Sequence, residues 1–496
     1  MKPADPPLVL SLDQGTTNSK AVLVTDSGRV VGSGSAPVAL FHPRPGWVEQ
    51  DADQIWSSVV QAIAACLKDR EPRSLVGMTL STQRESVVAW SRETGGALAP
   101  LLGWQDRRTA EEWGPRITDA DDLVRSRTGL QIDAMFSAPK MRWLLDHLAG
   151  HPVDDICVGT VDAWLVWRLT DRTQHACDAG NASRTLLYDV KELGWAADLL
   201  ELFGVPAAVL PDVLASNANF GQTRAVPGVP DGLPIIAVMA DSHAALFGQG
   251  CTEVGTAKAT YGTGTSVMAP EAGFTGRRSP VPTTLAWLTD RPMYAREGNI
   301  LSSGAALAWT ARLLGLPGVG ELVALAGNVP DSGGVTLVPG FSGLGSPHWN
   351  RDVRARLTGM TSGTAPAHVA RAALEAVAHQ VCDIVEVIEA DSPRLTLLRA
   401  DGGATAAPLL MQIQADLLDT VVEVAPVAEV SAVGAARLGW QTLGAPGGNS
   451  ISSRGAGDVR AGAAVFSPSI GTVERSQRRD AWREEIASAL NQTSKP

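Results

Sequence analysis

No Gly-Lys dipeptide occurs in this chain, so the Gly-x-x-x-x-Gly-Lys-Ser/Thr loop that cradles phosphates in P-loop enzymes is absent. A complete Gly-x-Gly-x-x-Gly is missing too, which removes the Rossmann fingerprint. Cysteine is scarce: Cys66, Cys157, Cys177, Cys251 and Cys382 are scattered, odd in number, and lack Cys-x-x-Cys or Cys/His ligand spacing. That excludes a disulfide framework and a structural zinc site, and predicts buried, reduced thiols in a cytoplasmic protein. No apolar run reaches the length of a membrane span, and the N-terminus has no signal-peptide hydrophobic region. Basic residues are outnumbered, and a net charge of -11 argues against nucleic acid or an anionic membrane as the main partner. A phosphate site stays open, because local backbone dipoles bind anions even on an acidic protein.

Glycine is what the chain has in excess, with 50 residues, a number that fits many tight turns. At 496 residues the chain is too long for one core, and two domains are expected, 1–247 and 248–496. Two glycine-and-hydroxyl turns stand half a chain apart, each between β-type stretches. One is Asp13-Gln14-Gly15-Thr16-Thr17-Asn18-Ser19-Lys20 and the other is Tyr261-Gly262-Thr263-Gly264-Thr265-Ser266. Glycine admits backbone N–H groups close to an anion, and the hydroxyls add donors without bulk. The pair predicts a duplicated domain gripping one polyphosphate from both sides.

Strands are expected at Pro7–Leu12, Lys20–Thr25 and Arg29–Ser33, then an amphipathic helix over Gln54–Leu67 with Ile55, Val59, Ile63 and Cys66 on one face. Strands Leu75–Leu80 and Ser86–Trp90 flank a polar turn, and helices follow at Ala138–His147 and Val161–Leu169. A buried strand, Leu233–Val238, runs into Ala240-Asp241-Ser242. The order then returns: strands Thr256–Thr260 and Thr265–Ala269, helices Ser303–Leu314 and Pro366–Ala390, and strand Leu395–Ala400 before Asp401-Gly402-Gly403. Helix Pro408–Leu418 and strand Val421–Val424 follow. Beyond about Pro446 a Gly-, Ser- and Arg-rich stretch precedes a charged helix and a disordered-looking tip.

Each candidate site residue has two readings. Asp13 is either a carboxylate beside phosphate-facing donors, where Mg²⁺ on a nucleotide wants an oxygen ligand, or part of an Asx-type turn. Asp241 is either a functional group at the carboxyl end of a strand or an ordinary helix N-cap. Arg84-Glu85 is either a recognition pair or a solvated turn. Asp401-Gly402-Gly403 is either a nucleotide seat or a common turn between strand and helix. For His243, His348 and His379, which lack ligand-spaced partners, core or surface roles are favoured over metal binding, and Trp143, Trp164 and Trp167 read as core.

Taken together, the segments resemble the FGGY family of carbohydrate kinases, and within it the glycerol kinase branch. The marks are Asp13-Gln14-Gly15-Thr16-Thr17, Gly46-Trp47-Val48-Glu49-Gln50, Gln83-Arg84-Glu85 and Trp104-Gln105-Asp106-Arg107-Arg108-Thr109. Gly159-Thr160-Val161-Asp162 with Trp164, Asn181-Ala182-Ser183-Arg184-Thr185, Tyr261-Gly262-Thr263-Gly264, Gly343-Leu344-Gly345-Ser346-Pro347 with Trp349, and Asp401-Gly402-Gly403 complete the set in order. The resemblance implies an α/β protein of two ribonuclease H-like, actin-like ATPase domains with the active site in the cleft. It implies that Asp241 is the general base, that Asp13 lies near Mg²⁺ with Asp241, and that Gly15, Thr16 and Thr17 contact phosphate. Thr263, Gly304 and Gly403 match nucleotide positions, and Arg84, Glu85, Trp104 and Asp241 match positions that hold the polyol. ATP and Mg²⁺ are the implied cofactors, a small polyol or sugar the implied partner, and a homodimer or homotetramer the implied assembly.

Four positions depart from the glycerol kinase pattern. Met135 stands for a tyrosine beside the substrate, Ser242 for a glutamine after the catalytic aspartate, Thr265-Ser266 for an aromatic after the Gly-Thr-Gly turn, and Ala407 for an asparagine after Asp401-Gly402-Gly403. The smaller side chains leave room for more than glycerol, so the expected acceptor is glycerol or a somewhat larger molecule, such as a tetritol or an open-chain ketose of the xylulose or ribulose type. A partner-driven actin-like ATPase and a relative that binds sugar without turnover are the competing readings.

Overall fold

The structure, a computed structural model, describes residues 6–68, 70, 72–113, 117–426, 429–444 and 462–493, with 117–119 by backbone alone. Most of the Gly/Ser/Arg-rich stretch beyond Pro446, and the terminal tip, lie outside the described residues. The charged helix expected after it runs over Thr472–Thr493.

The first sheet has five strands in the order Ile235–Ala240, Leu75–Thr82, Leu8–Gln14, Asn18–Val24 and Val30–Pro37. The first three run parallel, and the last two fold back as antiparallel hairpins. Ile235–Ala240 is buried along its whole length, as a strand covered on both faces must be. That is why it reads as an unbroken apolar run, whereas the exposed Val30–Pro37 edge carries glycine and serine. Helix Ala52–Cys66 covers one face, burying Ile55, Val59, Ile63 and Cys66 as its periodicity predicts. Its start is fixed by the Asp51 carboxylate, which accepts from the N–H groups of Asp53 at 2.8 Å and Gln54 at 3.1 Å.

The second sheet repeats this plan. Pro292–Ile300, Thr265–Glu271 and Thr256–Tyr261 form the antiparallel run, and Leu397–Asp401 and Val421–Val424 add in parallel. Thr283–Leu288 and Ala464–Phe466 extend the two edges. One strand order in both sheets is the duplicated α/β architecture that the paired glycine turns anticipate. The hairpin Thr283–Leu288/Pro292–Ile300 has no counterpart among the strands expected from sequence.

Two elements tie the halves together. Helix Val430–Thr442 leaves the second sheet and packs on the first: Ser11 Oγ donates to the Ala432 carbonyl at 2.7 Å, and the Trp440 indole donates to the Val24 carbonyl at 3.2 Å. The extra hairpin reaches back as well, with the Tyr294 hydroxyl donating to the Val190 carbonyl at 2.8 Å. An apolar cluster including Met239, Ala244, Phe247, Met268, Trp287 and Leu438 fills the seam. The five cysteines are buried, as are Trp164 and Trp167; Trp143 is half-buried against Trp47. His379 stacks on Trp482, His348 faces Asp383, and His243 is fully buried. No helix among the described residues is long and apolar enough to cross a membrane.

Candidate active site

Parallel strands end together, and that alone assembles half of the site. Asp13 closes Leu8–Gln14, Gln83-Arg84-Glu85 follows Leu75–Thr82, and Asp241 follows Ile235–Ala240, all at one carboxyl edge. On the second sheet the Tyr261–Gly264 turn and Asp401-Gly402-Gly403 likewise follow adjacent parallel strands. The carboxyl edges of open α/β sheets are where ligands bind.

Asp241 is the first residue of helix Asp241–Gly248; the capping position belongs to Ala240, which makes no side-chain bond. Its carboxylate accepts from the Ser242 N–H at 2.6 Å, lies 3.3 Å from Arg84 Nε, and keeps 35% of its side chain exposed. Burial raises its pKa, Arg84 opposes that, and Glu85 adds to it. Asp13 accepts from Ser81 Oγ at 2.9 Å. Its carboxyl is pushed up to about 6, first by burial and then by the charge of Asp241. Two carboxylates that repel across one edge form a focus of negative charge.

The Arg84-Glu85 turn is buried, not solvated. The Ser86 N–H donates to the Arg84 carbonyl at 2.7 Å across Glu85, whose φ is 61°. This is the positive-φ γ-turn, a strained shape that persists only where neighbours hold it. The neighbour here is Arg184, whose Nε donates to Glu85 Oε1 at 2.7 Å. Arg84 in turn donates through both terminal nitrogens to Glu297, at 2.8 and 2.7 Å. Glu297 comes from strand Pro292–Ile300 of the second sheet, so this pair crosses between the halves.

Trp104 sits 37% exposed beside the first turn, its indole donating to Thr16 Oγ1 at 3.0 Å. Asp106, fully buried, organises the loop behind it by accepting from the Val48 N–H at 2.7 Å and from the Arg108 backbone and side chain. Arg108 then stacks on Trp47 at 3.7 Å. Within the first turn the Gly15 N–H donates to the Asn18 carbonyl at 2.9 Å, so Gly15 shapes the loop, while Thr16 and Thr17 line its outer side.

On the opposing edge, Thr263 is exposed, and its carbonyl accepts from the N–H groups of Ser303 and Ala305 at 3.0 Å each. Gly304 donates to the Gly262 carbonyl at 3.0 Å, and a Cβ there would stand 2.5 Å from that oxygen. Gly402 adopts φ 94° against the Tyr261 backbone, whereas Gly403 faces open space. Asp401 is buried and paired internally with Gln249, near Lys258, which donates to Thr260 Oγ1 at 2.9 Å. Ala407 makes no side-chain cap for helix Pro408–Leu418.

Of the departing positions, Met135 is half-buried next to the segment whose Ser137 hydroxyl donates to the Glu85 carbonyl at 3.1 Å. Ser266 Oγ donates to Glu297 Oε1 at 3.3 Å, and Thr265 bonds Ser303.

The model of the N-terminal domain of the FGGY family of carbohydrate kinases matches residues 8–248, and that of the C-terminal domain matches residues 257–442. The chain belongs to this family. As an FGGY kinase it is a phosphotransferase that uses ATP to phosphorylate a hydroxyl of a small polyol or sugar. A relative named apulose kinase, from Pectobacterium atrosepticum, is 43% identical over 451 residues, 88% of this chain and 90% of its own. A relative named glycerol kinase, from Alkalilimnicola ehrlichii, is 42% identical, covering 97% of this chain and 98% of its own. The solved structure of Plasmodium falciparum glycerol kinase with ADP superposes with a TM-score of 0.90 at 28% identity, covering 98% of both chains.

The sequence reading of this FGGY kinase passes over Glu297 and assigns no role to Arg184. Glu297 lies in an unexpected strand, Pro292–Ile300, where it stands next to Arg296 and close to Asn299, so no apolar alternation marks the segment as a buried strand.

Proposed function

We propose that the FGGY kinase phosphorylates a polyol or ketose longer than glycerol, with Asp241 as the general base. The observation that carries the base is its position: a partly open carboxylate at the edge where Asp13 and the first hydroxyl turn also end. Asp241 takes the proton of the acceptor hydroxyl as the hydroxyl oxygen bonds to the γ-phosphorus of ATP, the bond from that phosphorus to the β–γ bridging oxygen breaks, and ADP leaves. A positioned base of this kind is worth about 10²–10⁴-fold. Arg84, Glu85 and Trp104 hold the acceptor, while Thr16, Thr17, Thr263, Gly304 and Gly403 meet the nucleotide, with Gly15 shaping the first turn. The division into 1–247 for acceptor and base and 248–496 for nucleotide belongs to the same proposal.

The Asp13/Asp241 pair suits Mg²⁺, which is bound through one or two carboxylates together with substrate phosphates. Two carboxylates are too few to hold the ion alone, so Asp13 and Asp241 would share it with the phosphates of the bound nucleotide. Bound there, Mg²⁺ neutralises charge on the transferring phosphoryl group.

The acceptor is inferred from Met135, Ser242 and Ser266, which replace a phenol, an amide and an aromatic ring of the glycerol kinase pattern. The relatives' names span both classes, one being an apulose kinase and others glycerol kinases. A coupled ADP-release assay over glycerol, tetritols, pentitols and ketopentoses tests this reading. A higher kcat/KM for an acceptor of four or five carbons is expected; a preference for glycerol overturns the longer acceptor, and silence throughout leaves a sugar binder without turnover. Cytoplasmic location and a homodimer or homotetramer complete the proposal, the latter read by analytical ultracentrifugation.

A further inference from the structure

Arg84 stands between two carboxylates. On one side Glu297 takes both of its terminal nitrogens, at 2.8 and 2.7 Å; on the other, Asp241 lies 3.3 Å from Nε. Glu297 is itself 1% exposed and is fixed from two more directions, by Arg184 Nη1 at 3.2 Å and Ser266 Oγ at 3.3 Å. A bidentate guanidinium–carboxylate pair fixes direction as well as distance.

We propose that Glu297 is a positioning residue for the acceptor pocket: by holding Arg84 in a fork from the opposite half, it keeps that guanidinium from closing over Asp241. A buried arginine needs a carboxylate partner. With Glu297 gone, the carboxylates left within 4 Å of Arg84 are Asp241 and Glu85. Glu85 is already held by Arg184. Arg84 therefore turns its fork onto Asp241 and fills the space where an acceptor hydroxyl has to sit. Lys258 and His243 also face this group of charges but make no hydrogen bond or ion pair with Glu297 or Asp241. The fork forms only when the two halves are together, so the acceptor pocket is completed by the half that carries the nucleotide turns. This inference rests on Asp241 and Arg84 facing the acceptor.

The test compares Glu297→Gln and Glu297→Asp with the unaltered enzyme, using the best acceptor of the panel. For Glu297→Gln, the acceptor KM is expected to rise about ten-fold or more and kcat to fall about ten-fold, with the KM for ATP within about two-fold. A ligand-free crystal structure is expected to show the Arg84 terminal nitrogens on Asp241. Glu297→Asp keeps the charge balance and is expected to give a smaller rise, about three-fold, again confined to the acceptor. It decides the matter by itself if Glu297→Gln does not fold. Equal losses for acceptor and ATP, or no change in either, overturn the proposal. Asp241→Asn separates this from the base assignment: surviving turnover there discards the base, whatever the Glu297 variants do to acceptor KM.

Discussion

The Trp104 indole N–H donates to the Thr16 hydroxyl at 3.0 Å, joining the wall proposed for the acceptor to the turn proposed for phosphate. Two loops from different strands share one bond, so a change in either is felt by both substrates. Trp104→Phe keeps an aromatic face but is smaller and lacks the donor; losing the bond costs about 1 kcal/mol. Steady-state kinetics are expected to show kcat/KM falling about five-fold for acceptor and ATP alike. A loss confined to the acceptor means the bond does not transmit.

Asp241→Asn keeps the shape and removes the proposed base. Turnover is expected to fall by about 10²–10⁴-fold, while calorimetry finds nucleotide affinity nearly unchanged. An active variant withdraws the assignment.

Asp13 gives a pH signature. Its carboxyl titrates at about 6, raised by burial and by Asp241, and only the ionised form binds a cation. With Asp13 in its proposed place beside Mg²⁺, magnesium-dependent nucleotide affinity is expected to be full above pH 7 and to weaken as pH falls through 6, by about ten-fold per unit below it. Asp13→Asn flattens the profile and lowers affinity throughout. Titration of Mg²⁺ and a non-hydrolysable ATP analogue between pH 5 and 8 reads both; a flat wild-type profile contradicts the role.

Neighbouring glycines have opposite surroundings, one crowded and one open. Gly402 has φ 94° and ψ 166°, a region essentially closed to other residues, and a Cβ there meets the Tyr261 carbonyl oxygen at 2.5 Å. Gly402→Ala is expected to cost about 1–3 kcal/mol, seen as a lower unfolding temperature. At Gly403 a Cβ meets nothing within 4 Å; with Gly403 at the nucleotide as proposed, Gly403→Val is expected to leave the melting temperature alone and raise the KM for ATP. Unchanged ATP kinetics in that variant remove Gly403 from the nucleotide site.

Acceptor choice is tested by restoring bulk. Met135→Tyr combined with Ser242→Gln is expected to shift the kcat/KM ratio toward glycerol by about ten-fold, the size of effect that pocket contacts ordinarily give. No shift locates the selectivity elsewhere.

Local chemistry carries far in this chain. The continuous apolar run before Asp241 marks a doubly covered strand, and the spacing of Ile55, Val59, Ile63 and Cys66 marks a helix face, because burial is periodic along each element. The repeated strand–turn–strand opening likewise makes the duplicated sheets legible. Pairings across the cleft left no such trace. Asp241 as capping residue or functional carboxylate, and Arg84-Glu85 as solvated turn or recognition pair, stay open on paper, since both depend on what arrives from distant segments. Those arrivals are Glu297, 213 positions from Arg84, and Arg184, 99 positions from Glu85. A buried charge is stable only beside its partner, and which partner reaches it is a matter of how two sheets and a hairpin come together in space.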